Sequence, residues 1–332
     1  MKRKLILHIG AHRTATTSLQ NYLLANFHNV QREGFFYPYK IARHQKLMGN
    51  LFNGGRKPES VAEDLSARAD KREHAIHTIV LSDEDICMRR DLSVLAKFRQ
   101  WFDVKIVFTL RRQDTWLESW FFQNIKWQWN AHLSHCTFEE FLAKREEFHW
   151  IRYNRYLQHL EMLFGQENII VNIHEKAQMA GGPIETFCDS IGLIDREGFH
   201  APAHINESFS PTISEFMRCL PLDQAPEPYR DMLVSAFARI NTRLSDGQSR
   251  QSERLMPPDQ RAALMAEYDL GNRAVAQRYF GRDELFLEPL PGPDASLARM
   301  ELPTDSYVLM QDLVAPLLQE IIEHRILESK NK

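Results

Sequence analysis

Long apolar runs, an excess of one charge and closely spaced cysteines are all missing from this sequence of 332 residues. No apolar run approaches the roughly 20 residues that a membrane-spanning helix needs. A formal net charge of −3 excludes a global field that would attract nucleic acid or an anionic membrane. The four cysteines lack C-x-x-C spacing, which argues against a zinc site or a disulfide framework. We therefore expect a cytoplasmic protein without a nucleic-acid partner or a transmembrane segment.

The composition itself is that of a globular protein, with 43% hydrophobic and 26% charged residues. The basic start is followed by an apolar run over residues 5–9, which is too short for a signal peptide. We interpret this run as the first strand of a sheet rather than as a targeting segment.

The first strand leads through a short turn into a helix, and this stretch organises the chain. The apolar run ends at Gly10, and from Ser18 the apolar residues recur at helical spacing. The turn between them is rich in hydroxyl groups and carries one cation, Arg13. A strand that enters a helix in this way directs backbone N–H groups and a helix N-terminus at one point, so the turn is a candidate anion site. The plainer interpretation is an ordinary first strand–turn–helix of an α/β domain.

The residues of the turn distinguish between two kinds of phosphate-binding loop. The nucleotide-hydrolase pattern G-x-x-x-x-G-K-[ST] requires a lysine where this chain has Thr16. The pattern here is Gly10-x-x-Arg13-Thr14-Ala15-Thr16-Thr17. It resembles the 5′-phosphosulfate loop of the PAPS-dependent sulfotransferases, whose usual form is G-x-x-[KR]-[ST]-G-[ST]-T. The alanine at the glycine position fits only if its φ is negative.

A second motif follows the clearest apolar run of the chain, residues 104–110, which we predict to be a strand. Arg111 ends this strand, and Ser119 lies eight residues later on the predicted following helix. The pair resembles the 3′-phosphate site of the same sulfotransferases, where an Arg and a Ser bind the nucleotide. The planar guanidinium of Arg suits this role because it binds phosphate in a bidentate manner.

Two residues are candidates for the base that removes the proton of an acceptor. Glu84 lies in an acidic cluster, residues 83–85, directly after a predicted strand over residues 77–82. Ligands gather at the carboxyl ends of strands in open α/β sheets, which places Glu84 favourably. His44 follows the first helix, in a region where other branches of the resembled family carry their base. The alternatives are helix capping for Glu84 and, for His44, an ordinary histidine near the surface whose hydrogen bonds are satisfied.

The rest of the chain alternates strands and helices, which predicts a P-loop-type, doubly wound, mainly parallel α/β sheet with helices on both faces. Further predicted helices cover residues 59–76, 91–102, 138–164, 211–220, 228–244 and 258–279, with a last strand at 168–173. We expect one domain over residues 1–332, in which residues 205–332 form a mostly helical extension. The stretches 206–211 and 272–280 resemble landmarks of the bacterial, carbohydrate-type branch of the same sulfotransferases. We expect the last helix, residues 305–328, to be kinked at Pro316 and to cap the domain, or else to mediate a homodimer.

The resemblance implies an enzyme that transfers a sulfuryl group from PAPS to a hydroxyl or amine of an acceptor, a saccharide, a glycolipid or a small metabolite. Gly10, Arg13, Thr14, Ala15, Thr16, Thr17, Arg111 and Ser119 would bind the donor, with Arg13, Glu84 and His44 catalytic. No metal is expected. A P-loop kinase or other nucleotide phosphotransferase and a non-catalytic nucleotide-binding module are the alternatives.

Overall fold

The computed structural model describes residues 2–201, 208–245 and 254–330, with side chains to residue 325. Within these ranges the chain forms a sheet of five strands and fifteen α-helices. The strands are β1 Lys4–His8, β2 Phe35–Phe36, β3 Thr78–Ser82, β4 Asp103–Leu110 and β5 Ile169–Ile173. They are arranged in the order β2-β3-β1-β4-β5, and every neighbouring pair is parallel. This confirms the predicted parallel α/β sheet.

The chain forms two compact units. The first comprises residues 1–113, 147–205 and 265–289, and the second comprises residues 114–146, 206–264 and 290–332. All five strands belong to the first unit. Its helices are α1 Thr16–Ala25, α2 Phe27–Arg32, α3 Gln45–Phe52, α4 Pro58–Asp70, α5 Ser93–Ala96, α9 Tyr153–Phe164 and α10 Gly182–Ile191.

The second unit is helical in its described residues. It contains α7 Ala131–Ser134, α8 Phe138–Ala143, α11 Pro211–Arg218, α12 Glu227–Ser245, α14 Ser306–Leu309 and α15 Ala315–Lys330. Two helices contain residues of both units, namely α6 Gln113–Trp127 and α13 Pro258–Phe280. The single domain over residues 1–332 stays a prediction.

Helices cover both faces of the sheet. Val107 of β4 belongs to a buried cluster with Leu23 of α1 and Phe187 of α10. The next residue, Phe108, packs its ring against Tyr153 and Tyr156 of α9. Because consecutive side chains of a strand point to opposite faces, α1 and α10 cover one face and α9 covers the other. The doubly wound arrangement is therefore confirmed.

The order of the strands fixes where a ligand would bind. The chain passes from β1 to β2 and β3 on one side, and β4 and β5 then add on the other side of β1. The strand order thus reverses between β1 and β4, and open α/β sheets bind ligands outside the carboxyl ends of the strands at such a point. The loop after β1 and Arg111 after β4 both lie there.

Several predicted element boundaries are wrong. The predicted helix over residues 138–164 is broken into α8 and α9 by two 3₁₀ turns, Arg145–Glu147 and His149–Ile151. The predicted helix over residues 91–102 is only α5 followed by the 3₁₀ turn Lys97–Gln100. In the last helix the irregularity is a π-helical segment, Met310–Val314, directly before α15. Pro316 has no N–H to bond in the preceding turn, which is a physical cause of such an interruption.

Candidate active site

The loop between β1 and α1 begins as an extension of the sheet. The N–H of Thr109 donates to the carbonyl of Gly10 at 2.7 Å, and the N–H of Ala11 donates to the carbonyl of Thr109 at 3.2 Å. The chain turns away from the sheet only after these bonds. Thr14 then fixes the turn from within, since its hydroxyl donates to the carbonyl of Ala11 at 2.6 Å. The loop is therefore anchored to β4 at its start.

Both the backbone angle at position 10 and the close surroundings of this residue require glycine. Its φ is +99°, in the region that favours glycine. A Cβ at this position would lie 3.1 Å from the Cβ of Glu84 and 3.2 Å from its Cα. The close approach brings the loop against the acidic cluster after β3. Any larger residue at position 10 would push these two segments apart.

Ala15 takes a backbone conformation that the sequence analysis excluded. Its φ is +63° and its ψ is 24°, so the expectation of a negative φ is wrong. Arg13 also has a positive φ, of +64°. A left-handed conformation costs a residue with a Cβ roughly 1–2 kcal/mol. The chain therefore retains the left-handed geometry that a glycine would adopt freely, although it carries alanine.

Ala15 is also the N-cap of α1, and no described side chain caps that helix. The first amides of an α-helix have no acceptor within the helix, and the helix dipole makes them attractive to anions. Thr16 is buried and Thr17 is exposed at this end. The predicted loop residues Gly10, Arg13, Thr14, Ala15, Thr16 and Thr17 thus form one continuous turn at the N-terminus of α1.

Arg111 reaches this loop from the end of β4. Its Nη1 donates to the carbonyl of Arg13 at 2.7 Å. The hydroxyl of Tyr153 on α9 accepts from the N–H of Arg111 at 3.1 Å and also donates to the carbonyl of Arg111. Arg111 is therefore fixed at its backbone by α9 and touches the loop through its side chain. The structure brings these two predicted site residues together.

Ser119 lies on α6, among the residues of the second unit. Its pairing with Arg111 stays a prediction. The residues directly after Arg111 have partners of their own. Arg112 donates to the carbonyls of Glu288 and Pro289, and Gln113 forms two hydrogen bonds with the side-chain amide of Asn272. Arg112 and Gln113 are thus each bound to another segment of the first unit.

A single guanidinium binds the acidic cluster after β3. Arg43 contacts Asp83 at 2.7 Å through Nε, Glu84 at 3.3 Å through Nη1 and Asp85 at 2.6 Å through Nη2. His12 of the loop adds a contact from its Nε2 to Asp85 at 3.1 Å. The loop and the acidic cluster are thus linked by side chains as well as by the close approach at Gly10.

The second carboxylate oxygen of Glu84 is bound from α1. Gln20 donates from Nε2 to Glu84 Oε2 at 2.6 Å, and the same nitrogen lies 3.1 Å from the hydroxyl of Ser82. The Nδ1 of His8 lies 2.8 Å from that hydroxyl. Glu84 is buried, with 6% of its surface exposed. Its carboxylate is therefore held on both sides, by Arg43 and by Gln20, next to the loop.

The environment shifts the pKa values of the neighbouring carboxylates in opposite directions. Burial raises the pKa of Asp83 to about 6, despite the attraction of Arg43. Burial also opposes ionisation of Asp85, but the hydrogen bond from His12 and the charge of Arg43 outweigh it and hold its pKa well below the usual range. The three carboxylates raise the pKa of Arg43 further, so its positive charge is secure.

His44 is fully buried and uses both ring nitrogens for backbone contacts. Its Nδ1 accepts from the N–H of Ser82 at 3.1 Å, and its Nε2 lies 3.1 Å from the carbonyl of Pro38. An imidazole whose Nδ1 accepts is protonated at Nε2, so Nε2 donates to Pro38. Burial lowers the pKa of His44 to about 4. The neutral ring therefore joins the end of β3 to the turn after β2.

Three residues around the loop were missed by the sequence analysis. Arg43 and Gln20 bind Glu84, and Tyr153 binds the backbone of Arg111. Three consecutive acidic residues, 83–85, indicate that a cation lies nearby, and this signal could have pointed to Arg43. Gln20 and Tyr153 carried no such signal, because each meets its partner only after the chain has folded.

Two negative findings apply to the described residues alone. Within residues 2–201, 208–245 and 254–330, no group of three or more His, Cys, Asp or Glu side chains is arranged to hold a metal ion. Over the same ranges, no helix combines the length and the apolar composition needed to cross a membrane. The landmark at residues 206–211 begins outside the described residues, since residues 206 and 207 are not among them.

A solved crystal structure of a sulfotransferase from Alicyclobacillus acidocaldarius is similar to this chain, with 16% sequence identity and a TM-score of 0.38. The match covers 74% of this chain and 96% of that chain. No protein-family model matches the sequence, and no curated protein matches it. A likeness of this size does not decide the activity, which has to be inferred from the residues and their contacts.

Proposed function

We propose that this protein is a PAPS-dependent sulfotransferase, which moves a sulfuryl group from PAPS to a hydroxyl or amine. The observation that carries this proposal is the contact between the two phosphate motifs, Arg111 Nη1 to the carbonyl of Arg13 at 2.7 Å. It places a guanidinium from β4 against a glycine-started loop at the point where the strand order reverses. A saccharide or glycolipid acceptor is proposed on the resemblance of the motifs.

The loop residues fit the phosphate end of such a donor. The N-terminus of α1 has Ala15 as its N-cap and no described side-chain cap, so an anion there would supply the missing acceptors. A narrow cleft beside the loop is lined by polar side chains of Thr14, Thr109, Asn172 and Thr186. The same cleft is also lined by Leu19, Met179, Pro183 and Phe187, so its lining is mixed and does not by itself select a polar ligand.

PAPS, when bound, supplies a sulfuryl group attached to a phosphate leaving group. We assign Arg13 to stabilise the charge left on that phosphate as the sulfur–oxygen bond breaks and the bond from sulfur to the acceptor forms. Preorganised donors of this kind typically contribute about 3–4 kcal/mol. The Arg111 guanidinium supports the loop at Arg13 and is proposed to bind the 3′-phosphate with Ser119.

We assign Glu84 as the base that removes the proton of the acceptor. Its carboxylate lies beside the loop, against Gly10, and is oriented by Gln20 and Arg43. The positive charge of Arg43 also offsets three carboxylates that would otherwise repel an anionic donor. His44 is proposed to position the end of β3 rather than to take the proton, because both its nitrogens already bind backbone groups.

The test is calorimetry with PAP, ATP and GTP, followed by transfer assays with labelled PAPS and a panel of acceptors. We expect PAP to bind more tightly than ATP or GTP, and transfer to fall on the order of 100-fold or more in Arg13→Ala. Tighter binding of ATP or GTP, with Mg²⁺ required, would favour the kinase alternative. Binding of PAP without transfer to any acceptor would favour a binding module.

A further inference from the structure

His174 lies directly beside Arg111 at the carboxyl edge of the sheet. Leu110 of β4 and Ile173 of β5 are paired in the parallel register, so Arg111 and His174 are the next residues of the two strands. The pairing continues one step further, because the N–H of His174 donates to the carbonyl of Leu110 at 2.6 Å. The imidazole is therefore positioned by the same ladder that positions Arg111.

One ring nitrogen of His174 has no hydrogen-bond partner among the described residues. Its Nδ1 is buried and makes no hydrogen bond to any described residue. The charges that face the ring are those of Arg111, from the end of β4, and Arg13, from the loop. Burial, followed by these two charges, lowers the pKa of His174 to about 4.

The adjacent carboxylate does not compensate for these charges. Glu175 is buried and accepts from the N–H groups of Leu287 at 2.7 Å and Glu288 at 2.9 Å. It also accepts from the side-chain amide of Gln178 at 2.6 Å. The Glu175 carboxylate therefore binds the backbone of residues 287 and 288 and the side chain of Gln178. The imidazole thus lies beside Arg111 at the end of the β4–β5 ladder, and its buried Nδ1 has no hydrogen-bond partner among the described residues.

We propose that His174 is a further ligand of the phosphate that Arg111 is proposed to bind, and that it takes up a proton when this phosphate binds. An anionic phosphate would give Nδ1 its missing acceptor and would offset the two positive charges that now disfavour the imidazolium. Binding would then be tighter at lower pH, since the bound state holds one more proton than the free state. The identity of the anion, a phosphate of PAP, rests on the proposed function.

The experiment is calorimetry with PAP and, separately, inorganic pyrophosphate, in two buffers of different ionisation enthalpy at the same mildly acidic pH. The proteins are the wild type, His174→Gln and His149→Gln. His149 is a matched control, because it is also a half-buried histidine whose pKa is lowered by burial and by an arginine, Arg90. We expect His174→Gln to bind about 10-fold or more weakly and to lose the proton uptake, and His149→Gln to keep both.

The outcomes separate this proposal from the proposed function. Unchanged affinity and proton uptake in His174→Gln would overturn the role of His174 while leaving PAP binding intact. Uptake with pyrophosphate but no binding of PAP would support the anion site and defeat the proposed donor. As a second measurement on the wild type, the NMR titration of the His174 ring should move from a pKa of about 4 to a higher value when PAP is added. A titration that PAP does not move would also overturn the proposal.

Discussion

At the scale of single residues, Ala15 is the place where the sequence and the backbone disagree. Its φ of +63° is one that glycine adopts without strain. We expect Ala15→Gly to stabilise the protein by about 1 kcal/mol, because the released strain exceeds the entropy cost of glycine in the unfolded chain. Urea unfolding measures this difference.

The control for Ala15→Gly is Ala25→Gly in the same helix. Ala25 is exposed and is the last residue of α1, so it carries no such strain. Glycine there should destabilise by about 0.5–1 kcal/mol. Equal effects at both positions would show that the left-handed conformation of Ala15 is not a feature of the protein in solution.

Glu84 and His44 also differ at this scale. The Glu84 carboxylate contacts side chains beside the loop, whereas both ring nitrogens of His44 contact backbone groups. In single-turnover transfer with saturating PAPS, we expect Glu84→Gln to lose about 100-fold or more in rate, because a base is removed while the shape is kept. His44→Gln should keep most of the rate but unfold at lower urea, since it loses a buried pair of backbone contacts. An inactive His44→Gln beside a fully active Glu84→Gln would reverse our assignment.

At the scale of elements, two consecutive arginines in the segment after β4 contact different parts of the chain. Arg111 touches the loop, whereas Arg112 binds the carbonyls of Glu288 and Pro289. We expect Arg111→Ala to bind PAP little better than AMP, because a charge-assisted contact to the 3′-phosphate is lost. Calorimetry with both nucleotides gives the ratio of affinities.

Arg112→Ala is the matched control for that measurement. It removes the same charge one residue away, so the ratio of PAP to AMP affinity should stay close to that of the wild type. If the ratio falls equally in both variants, the effect is one of net charge. If it falls in neither, Arg111 does not bind the 3′-phosphate.

The elements also show what the sequence can predict about this protein. The strands and the loop are local patterns, and β1, β3, β4 and β5 lie where apolar runs end at polar residues. The break between α8 and α9 was missed because apolar residues keep helical spacing on both sides of it. The contacts of Arg43 with residues 83–85 join positions some 40 residues apart. No periodicity predicts such a pairing.

At the scale of the whole molecule, buried groups of the first unit bind protons differently from the unfolded chain. Burial lowers the pKa of His8 and of His44 from 6.5 to about 4, and burial with the charges of Arg111 and Arg13 lowers the pKa of His174 equally. It raises the pKa of Asp83 from 3.8 to about 6. Between about pH 4 and 6.5, the unfolded histidines therefore bind protons that the folded ones do not, whereas Asp83 retains a proton that the unfolded chain releases.

These effects have opposite signs. The stability contributed by the neutral histidines is complete above about pH 6.5 and is lost as the pH falls toward 4. The stability contributed by protonated Asp83 is complete below about pH 4 and is lost as the pH rises through about 6. Each group contributes a slope of about 1.4 kcal/mol per pH unit within its range. Three histidines against one aspartate leave a net loss of stability toward acid.

We therefore expect the free energy of unfolding to decrease from about pH 6.5 to 4, with a net slope on the order of 2–3 kcal/mol per pH unit. Asp83→Asn should make this slope steeper, because it removes the group that opposes the histidines. The slope is the readout, since the variant also loses the 2.7 Å contact with Arg43 and starts from a lower stability. Urea unfolding at several pH values across this range measures both. A stability that is constant or increases toward pH 4, or a slope that Asp83→Asn leaves unchanged, would mean that these four groups do not titrate as their burial requires.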